Sequence, residues 1–267
     1  MNGGNGQFRQ PKVSEMVADL LRQRVLEGEL EGLLPGQDAL LAEFNISKPS
    51  LREALRILES EGLITIRRGN LGGAFIHRPE AKHAAYMMAL VLQSRSVMIA
   101  DVAAALKHLE GTCVGLCASR SDRLDAVIPL LTACNDRASD AIDDPLNFVQ
   151  ATAEFHHLLV GVCGNESIRL TVGALETVWL AHVQEWAETM AKAGTFPDRA
   201  YRRRGLTIHQ RLTELIADGN INDASRMAED HFDPTQFYSG STGDTQLVKA
   251  AAVHAPSTPG MTHHRAY

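Results

Sequence analysis

The sequence predicts a mainly α protein, a winged helix-turn-helix followed by an all-α antiparallel helical bundle. Three observations lead there. Hydrophobic residues make up 45% of the chain but aromatic residues only 5%, so its cores must be built from Leu, Ala, Val and Ile, which suits helix packed on helix. Between residues 13 and 79, three short stretches of helical periodicity precede a glycine-rich strand, turn and strand, the order of a winged helix-turn-helix. Beyond Pro79 the chain shows only helical periodicity with short loops between segments, as antiparallel bundles require.

The elements follow in order. Residues 1–11 read as a flexible arm. Ser14 is placed to cap a first helix, with Glu15 at its positive end and Val17, Leu20, Leu21 and Val25 at helical spacing up to Gly28. A turn at LEGLLPGQ leads to a second helix from Asp38 to Phe44, and Asn45 makes the break. Ser47 caps the third helix, which Gly62 stops. Leu63–Arg67 and Ala74–His77 read as strands around a glycine-rich tip. The winged unit thus occupies 12–79. Helices are expected near 80–94, 97–119, 122–140, 145–163, 166–192, 198–218 and 221–237, giving a helical domain over 80–238. Residues 239–267 turn to Gly, Ser, Thr, Pro and His without periodicity, which predicts a disordered tail.

Charge and cysteine usage narrow the class. The net charge is −6, yet residues 1–79 hold ten basic and ten acidic residues, so the negative balance lies in the helical part. Cys113, Cys117, Cys134 and Cys163 form no CxxC pair and read as buried thiols of a reduced cytosol. No segment approaches 18 uninterrupted apolar residues, so a cytoplasmic protein without a membrane span is expected.

The third helix carries the clearest signal. A helix turns about 100° per residue, which puts Lys48, Arg52 and Arg56 within roughly 80° of each other, while Leu51, Ala54, Leu55 and Leu58 form a separate apolar arc. One face is built to pack and its neighbour to meet negative charge. As a recognition helix, its N-terminal half would enter the major groove, with Glu59 and Glu61 at the far end. A helix N-terminus also offers free N–H groups to a phosphate. Lys48, Ser50, Arg52 and Arg56 are therefore the expected groove and phosphate contacts. Arg68, Asn70 and Gly72 join them from the wing, whose glycines allow close approach of the backbone.

These residues carry a resemblance. Leu34-Pro35, the stretch Ser47-Lys48-Pro49-Ser50-Leu51-Arg52-Glu53-Ala54-Leu55, the segment Leu58–Leu63 and the glycine-rich wing resemble the GntR family of bacterial transcription regulators. Phe155-His156, Gly164-Asn165 and a terminal helical pair holding His209 and His231 resemble the FCD ligand-binding domain of its FadR-like branch. Together the two resemblances span residues 13–237. Two DNA-facing positions depart from the family: Asp38 and Lys48 stand where it often has arginine. Lysine keeps the charge at position 48 but loses the bidentate fork that reads guanine.

The FCD resemblance implies a divalent metal (Zn, Ni or Fe) held by His156, His209 and His231, a donor set that suits such ions. The family's carboxylate position, four residues before the first histidine, holds Thr152 here. Either Thr152 holds a metal-bound water, or metal binding is lost and the histidines bind an organic ligand directly. Glu110 is read as supporting structure or making a helix-end contact. A family arginine for an effector carboxylate is Leu106 here, and Lys107, Thr152 and Asn165 are the expected effector-pocket residues. The effector is then a small carboxylic acid, or a more apolar ligand such as an acyl-CoA.

The function implied is a ligand-responsive DNA-binding transcription regulator, a repressor released from an inverted-repeat operator by its effector and acting as a homodimer. The alternative is a metal-dependent hydrolase at the three histidines. That chemistry needs a general base near the ion. Glu154 is the close candidate in sequence but lies two residues from His156, on another face, and no nucleophile motif accompanies it.

Overall fold

Leu51, Ala54 and Leu58 are fully buried, and the winged unit is assembled around that arc. The computed structural model describes residues 12–67, 69, 72–77, 81–231 and 246–253, which fall into two compact units, Met1–Glu80 and Ala81–Tyr267. The arm at 1–11 lies outside the described residues.

The first unit holds α1 (Val13–Leu26), α2 (Gln37–Phe44), α3 (Lys48–Ser60), β1 (Ile64–Arg67) and β2 (Gly73–Ile76). Lys12, not Ser14, is the N-cap of α1; Ser14 is buried inside the first turn. Asn45 takes the left-handed conformation that ends α2, with φ 49°. The Ser47 side chain then accepts from the Ser50 N–H, and Pro49 sits in the first turn of α3, where its missing N–H is harmless. β1 and β2 pair antiparallel from Ile64 opposite Ile76 to Arg67 opposite Gly73. The chain at Gly32–Leu34 runs along β2: Leu34 donates to the Ala74 carbonyl and Ile76 to the Gly32 carbonyl. Val17, Leu21, Leu34, Leu40, Leu51, Leu58 and Ile64 share one core. Arg22 of α1 grips the Glu61 carboxylate through two nitrogens, at 2.8 and 2.6 Å. Glu59 accepts from the Ile66 N–H at 3.0 Å. The acidic end of α3 is thus spent on holding α3 to α1 and β1.

The second unit is helical among the described residues: α4 (Ala81–Ser94), α5 (Ile99–Ser119), α6 (Arg123–Ala126), α7 (Ile128–Asp140), α8 (Pro145–Gly161), α9 (Glu166–Ala193), α10 (Arg199–Ala217), α11 (Ile221–His231) and a short final helix, Ala250–Val253. One helix was expected over 122–140. Instead the chain breaks at Val127, just before Pro129 in the first turn of α7, because proline cannot donate back to the preceding turn. α5 is the central helix and packs on α8, α9, α10 and α11. It lies close to α11 because Gly111 and Gly115 have no side chain: a Cβ on Gly115 would sit 2.6 Å from the Ser225 hydroxyl, and one on Gly111 would sit 2.7 Å from Glu229 Cγ. Of the helix expected over 221–237, Ile221–His231 is described, and residues 232–237 lie outside the described set.

The expected disordered tail requires correction at 246–253. The Ile99 N–H donates to the Gln246 carbonyl and the Val248 N–H to the Val97 carbonyl, so the segment pairs with the loop before α5. Val248 and Ala250 are buried. The stretch QLVKAAAV is an apolar island inside a polar tail, and burial of its side chains offsets the cost of ordering it. The remaining tail residues lie outside the described set.

Candidate functional site

Two groups of side chains stand out, one in each unit. On α3, Lys48, Arg52 and Arg56 are all exposed. Arg56 pairs with Glu53 one turn away at 3.3 Å, a contact of little energetic weight at a wet surface. Lys48 and Arg52 make no ion pair among the described residues. The N-terminal half of the helix therefore presents two uncompensated cations beside its free N–H groups, a surface suited to phosphates and base edges. Ser50 is half-buried, with its hydroxyl 2.9 Å from that of Ser47. On the wing, the Gly72 N–H donates to the Gly69 carbonyl at 2.8 Å, which closes the tip. The Arg67 guanidinium lies over the Phe75 ring at 4.6 Å. Arg68 and Asn70 lie outside the described residues.

In the helical unit, His156 of α8, His209 of α10 and His231 of α11 converge. One ring nitrogen from each lies within 4.8 Å of the others, and His209 Nε2 faces His231 Nε2 at 2.8 Å. Ring packing fixes the orientations: Phe155 stacks on His209 at 4.2 Å, and the His156 and His231 rings lie nearly parallel, 5.7 Å apart. His156 Nδ1 bonds the Glu110 carboxylate. Glu110 is 2% exposed, in the middle of α5.

The electrostatics divide the three. Burial, aided by the neighbouring histidines, pushes His209 well below its ordinary range. Burial, then His156, pushes His231 down to about 3. Burial opposes the charged form of His156 as well, but the charge and hydrogen bond of Glu110, with help from Glu176, outweigh it and raise its pKa. Two of the rings are therefore neutral at pH 7, the form in which imidazole offers a lone pair to a metal.

The donor set passes a simple test of fit. Two nitrogens about 2.0–2.1 Å from one tetrahedral zinc stand roughly 3.3 Å apart, and the 2.8 Å between His209 and His231 is within a small side-chain adjustment of that. The outer Nδ1 atoms of His209 and His231 and the Glu110 Oε2 are buried without a partner. Buried polar atoms in that state call for a ligand or ordered water.

Family models agree with both units. The model "Bacterial regulatory proteins, gntR family" matches residues 13–76, and the model "FCD domain" matches residues 101–234. The chain belongs to the GntR family and carries an FCD domain. It is 31% identical over 186 residues to the HTH-type transcriptional repressor NanR of Klebsiella aerogenes, covering 64% of this chain and 68% of that protein. The NanR of Citrobacter rodentium is 28% identical over 240 residues, covering 85% of each chain. A solved structure described as Streptococcus agalactiae GntR shares the fold, with a TM-score of 0.59 at 20% identity, covering 82% of this chain and 96% of that one.

As a member of this family the chain is a ligand-responsive, DNA-binding transcription regulator. Nothing supports the hydrolase. Glu154, the candidate base, is exposed on α8 and pairs with Arg137 at 2.7 Å.

The expected effector residues fare unevenly in this GntR regulator. Thr152 is one turn before His156, but its hydroxyl bonds back to the Phe148 and Val149 carbonyls, both at 3.0 Å. Lys107 is half-buried, one turn before Glu110. Asn165 caps α9, its side chain accepting from the Ile168 N–H at 3.1 Å. Glu110, expected to support structure or make a helix-end contact, lies in the middle of α5 and bonds His156. Glu176 was not anticipated: both of its oxygens are buried without a hydrogen-bond partner. Burial raises its pKa first, against a nearby His157 that lowers it.

Proposed function

We propose that this regulator is a cytoplasmic, homodimeric repressor that leaves an inverted-repeat operator when a small-molecule effector binds its FCD domain. His156, His209 and His231 would hold a divalent cation (Zn, Ni or Fe) there. The convergence of three imidazole nitrogens from three helices carries this reading. A cation in that place supplies a positive point to an interior lined by carboxylates and neutral rings. It favours a small carboxylic acid as effector over an acyl-CoA.

The chain's own residues do the rest. Lys48, Ser50, Arg52 and Arg56 address the groove and its phosphates, and Arg68, Asn70 and Gly72 the neighbouring groove. A homodimer presents two α3 helices to successive half-sites. The histidines come from α8, α10 and α11, so a ligand drawn to them, with Lys107 and Thr152 nearby, biases how those helices pack. Release from DNA equals the difference in effector affinity between the two arrangements. That the NanR relatives are named repressors supports the sign of the response.

The test is elemental analysis of purified protein beside His231→Ala, followed by operator retardation with and without small carboxylic acids. About one divalent ion per chain in the wild type, none in the variant, and acid-dependent release are expected. Wild-type protein that binds no ion and ignores every acid would refute the proposal.

A further inference from the structure

Glu110 sits where a carboxylate should not be. It lies in the interior of α5, with Leu106, Cys113 and Val114 of the same helix fully buried around it. A carboxylate moved from water into such surroundings loses several kcal/mol of solvation unless it is paired, to order of magnitude. One oxygen has a partner, His156 Nδ1, and the other has none. No cationic side chain makes an ion pair with Glu110 among the described residues, other than that imidazole.

The bond engages one ring nitrogen of His156, Nδ1. With Nδ1 on Glu110, a cation held with His209 and His231 would take the other ring nitrogen, Nε2. A metal-binding imidazole commonly donates its other N–H to a carboxylate, which sets the tautomer, locks the ring and raises its basicity. An imidazole bound to a cation is a neutral donor, and the Thr152 hydroxyl, one turn before His156, is turned onto its own helix. The charge that would balance a divalent cation is therefore missing from the ligands themselves. It is present one residue further out, on Glu110.

We infer that Glu110 is the positioning residue of this centre: through its bond to His156 Nδ1 it orients that ring and supplies the negative charge that the ligand set lacks. The inference rests on the metal reading above and adds to it a residue 46 positions away from its partner in sequence. Glu176 shares the buried interior, but neither of its oxygens has a hydrogen-bond partner; one lies 3.6 Å from His157 Nδ1. It is the natural control for an effect of buried charge alone.

The experiment measures Zn²⁺ affinity by competition with a chromophoric chelator, and the visible spectrum of the Co²⁺ form, in the full-length chain. Wild type, Glu110→Gln, Glu110→Ala and Glu176→Gln are compared, each with its metal-free melting temperature. Glutamine keeps the shape and an accepting oxygen and removes the charge. Glu110→Gln and Glu110→Ala should bind Zn²⁺ about 10–100-fold more weakly, with an altered Co²⁺ spectrum, while Glu176→Gln stays close to wild type. A purely structural ion pair would lower the metal-free melting temperature and leave affinity unchanged, which would overturn the inference. An equal loss in Glu176→Gln would overturn it too, by showing that bulk charge and not the bond matters. If wild type binds no metal, the metal reading fails and this role fails with it. If wild type binds and both Glu110 variants bind equally well, only the role of Glu110 fails. Two substitutions at position 110 keep the test open should one of them not fold.

Discussion

His209 Nε2 and His231 Nε2 face each other at 2.8 Å although 22 residues separate them in the chain. The turn between α10 and α11 brings them together: Gly219 takes φ +71° there, and the Asn220 side chain accepts from the Asp223 N–H to start α11. Both rings are held neutral, His209 by burial and its two histidine neighbours, His231 by burial and then His156. In the unfolded chain each would protonate near 6.5. A depressed folded pKa gives stability that is complete above about 6.5 and is lost as pH falls toward 3. His156 has the opposite sign: its raised pKa stabilises below about 6.5, and that contribution fades as pH climbs through the folded value. The metal-free protein should lose stability between about pH 6.5 and 3, and His231→Leu should flatten that limb. Urea midpoints across this range decide it; parallel pH profiles for the two proteins would reject the assignment. Protons compete with Zn²⁺ for the same nitrogens, at His156 as pH falls through its raised folded value and at His231 only near 3, so affinity should weaken in two separate stages as pH falls.

Arg52 and Lys48 should separate by what they read. Both are exposed cations without an ion pair among the described residues. Arg52→Ala should weaken operator binding by about 1–3 kcal/mol and random DNA much less, if the guanidinium forks onto a base. Lys48→Ala should weaken both alike and reduce the slope of log affinity against log salt by about 0.9. Retardation titrations on operator and scrambled duplex at three salt concentrations measure both. Equal losses for Arg52→Ala on the two duplexes would assign it to phosphate alone.

How much of this was legible in the sequence differs between the two units. α3 could be read nearly to the residue because its information is local: a cap at Ser47, a proline beside it, and cations and leucines at helical spacing. The three histidines could be named only through the family motif, since spacing within one helix says nothing about meetings among α8, α10 and α11. Glu110 was within reach only as a buried charge on an apolar helix, and its partner is a long-range choice. The break at Val127 was signalled by Pro129 but outweighed by continuous periodicity on both sides. The ordered segment at 246–253 was hidden because composition averaged over a polar tail conceals eight residues that pack.

Gly115 should be as important to the centre as its distance in type from a ligand suggests it is not. A Cβ there would meet the Ser225 hydroxyl at 2.6 Å and Ile221 at 3.5 Å, so any branched side chain must push α11 away from α5. Helix propensity favours the change by up to about 1 kcal/mol, and overpacking opposes it by about 1–3 kcal/mol. Gly115→Val should therefore destabilise the helical unit. It should also weaken metal binding, because α11 carries His231. Calorimetry and Zn²⁺ titration on one preparation test both halves. A variant with normal melting and normal affinity would mean that α11 relaxes without moving its histidine.

The segment at 246–253 makes the last prediction. The Lys249 N–H can only donate, and it points at His182 Nε2 from 3.1 Å. That nitrogen must accept, so the proton of His182 sits on Nδ1, which donates to the Val178 carbonyl at 2.8 Å. His182 is fully buried, and the Ala250 N–H is taken by the Gln93 side chain at 2.7 Å. The segment thus ties α9 to the end of α4 through side chains of both. Val248→Ala should destabilise the helical unit by about 1–3 kcal/mol, or roughly 2–4 °C of melting temperature per kcal/mol for a unit of this size. Ending the chain after residue 245 should lower it at least as much, because Gln93 and His182 then lose partners as well as packing. Thermal melts of the three proteins, with amide exchange at Val248 and Lys249, give the measurement. A truncated chain that melts with the wild type would show that the segment lies on the bundle without stabilising it.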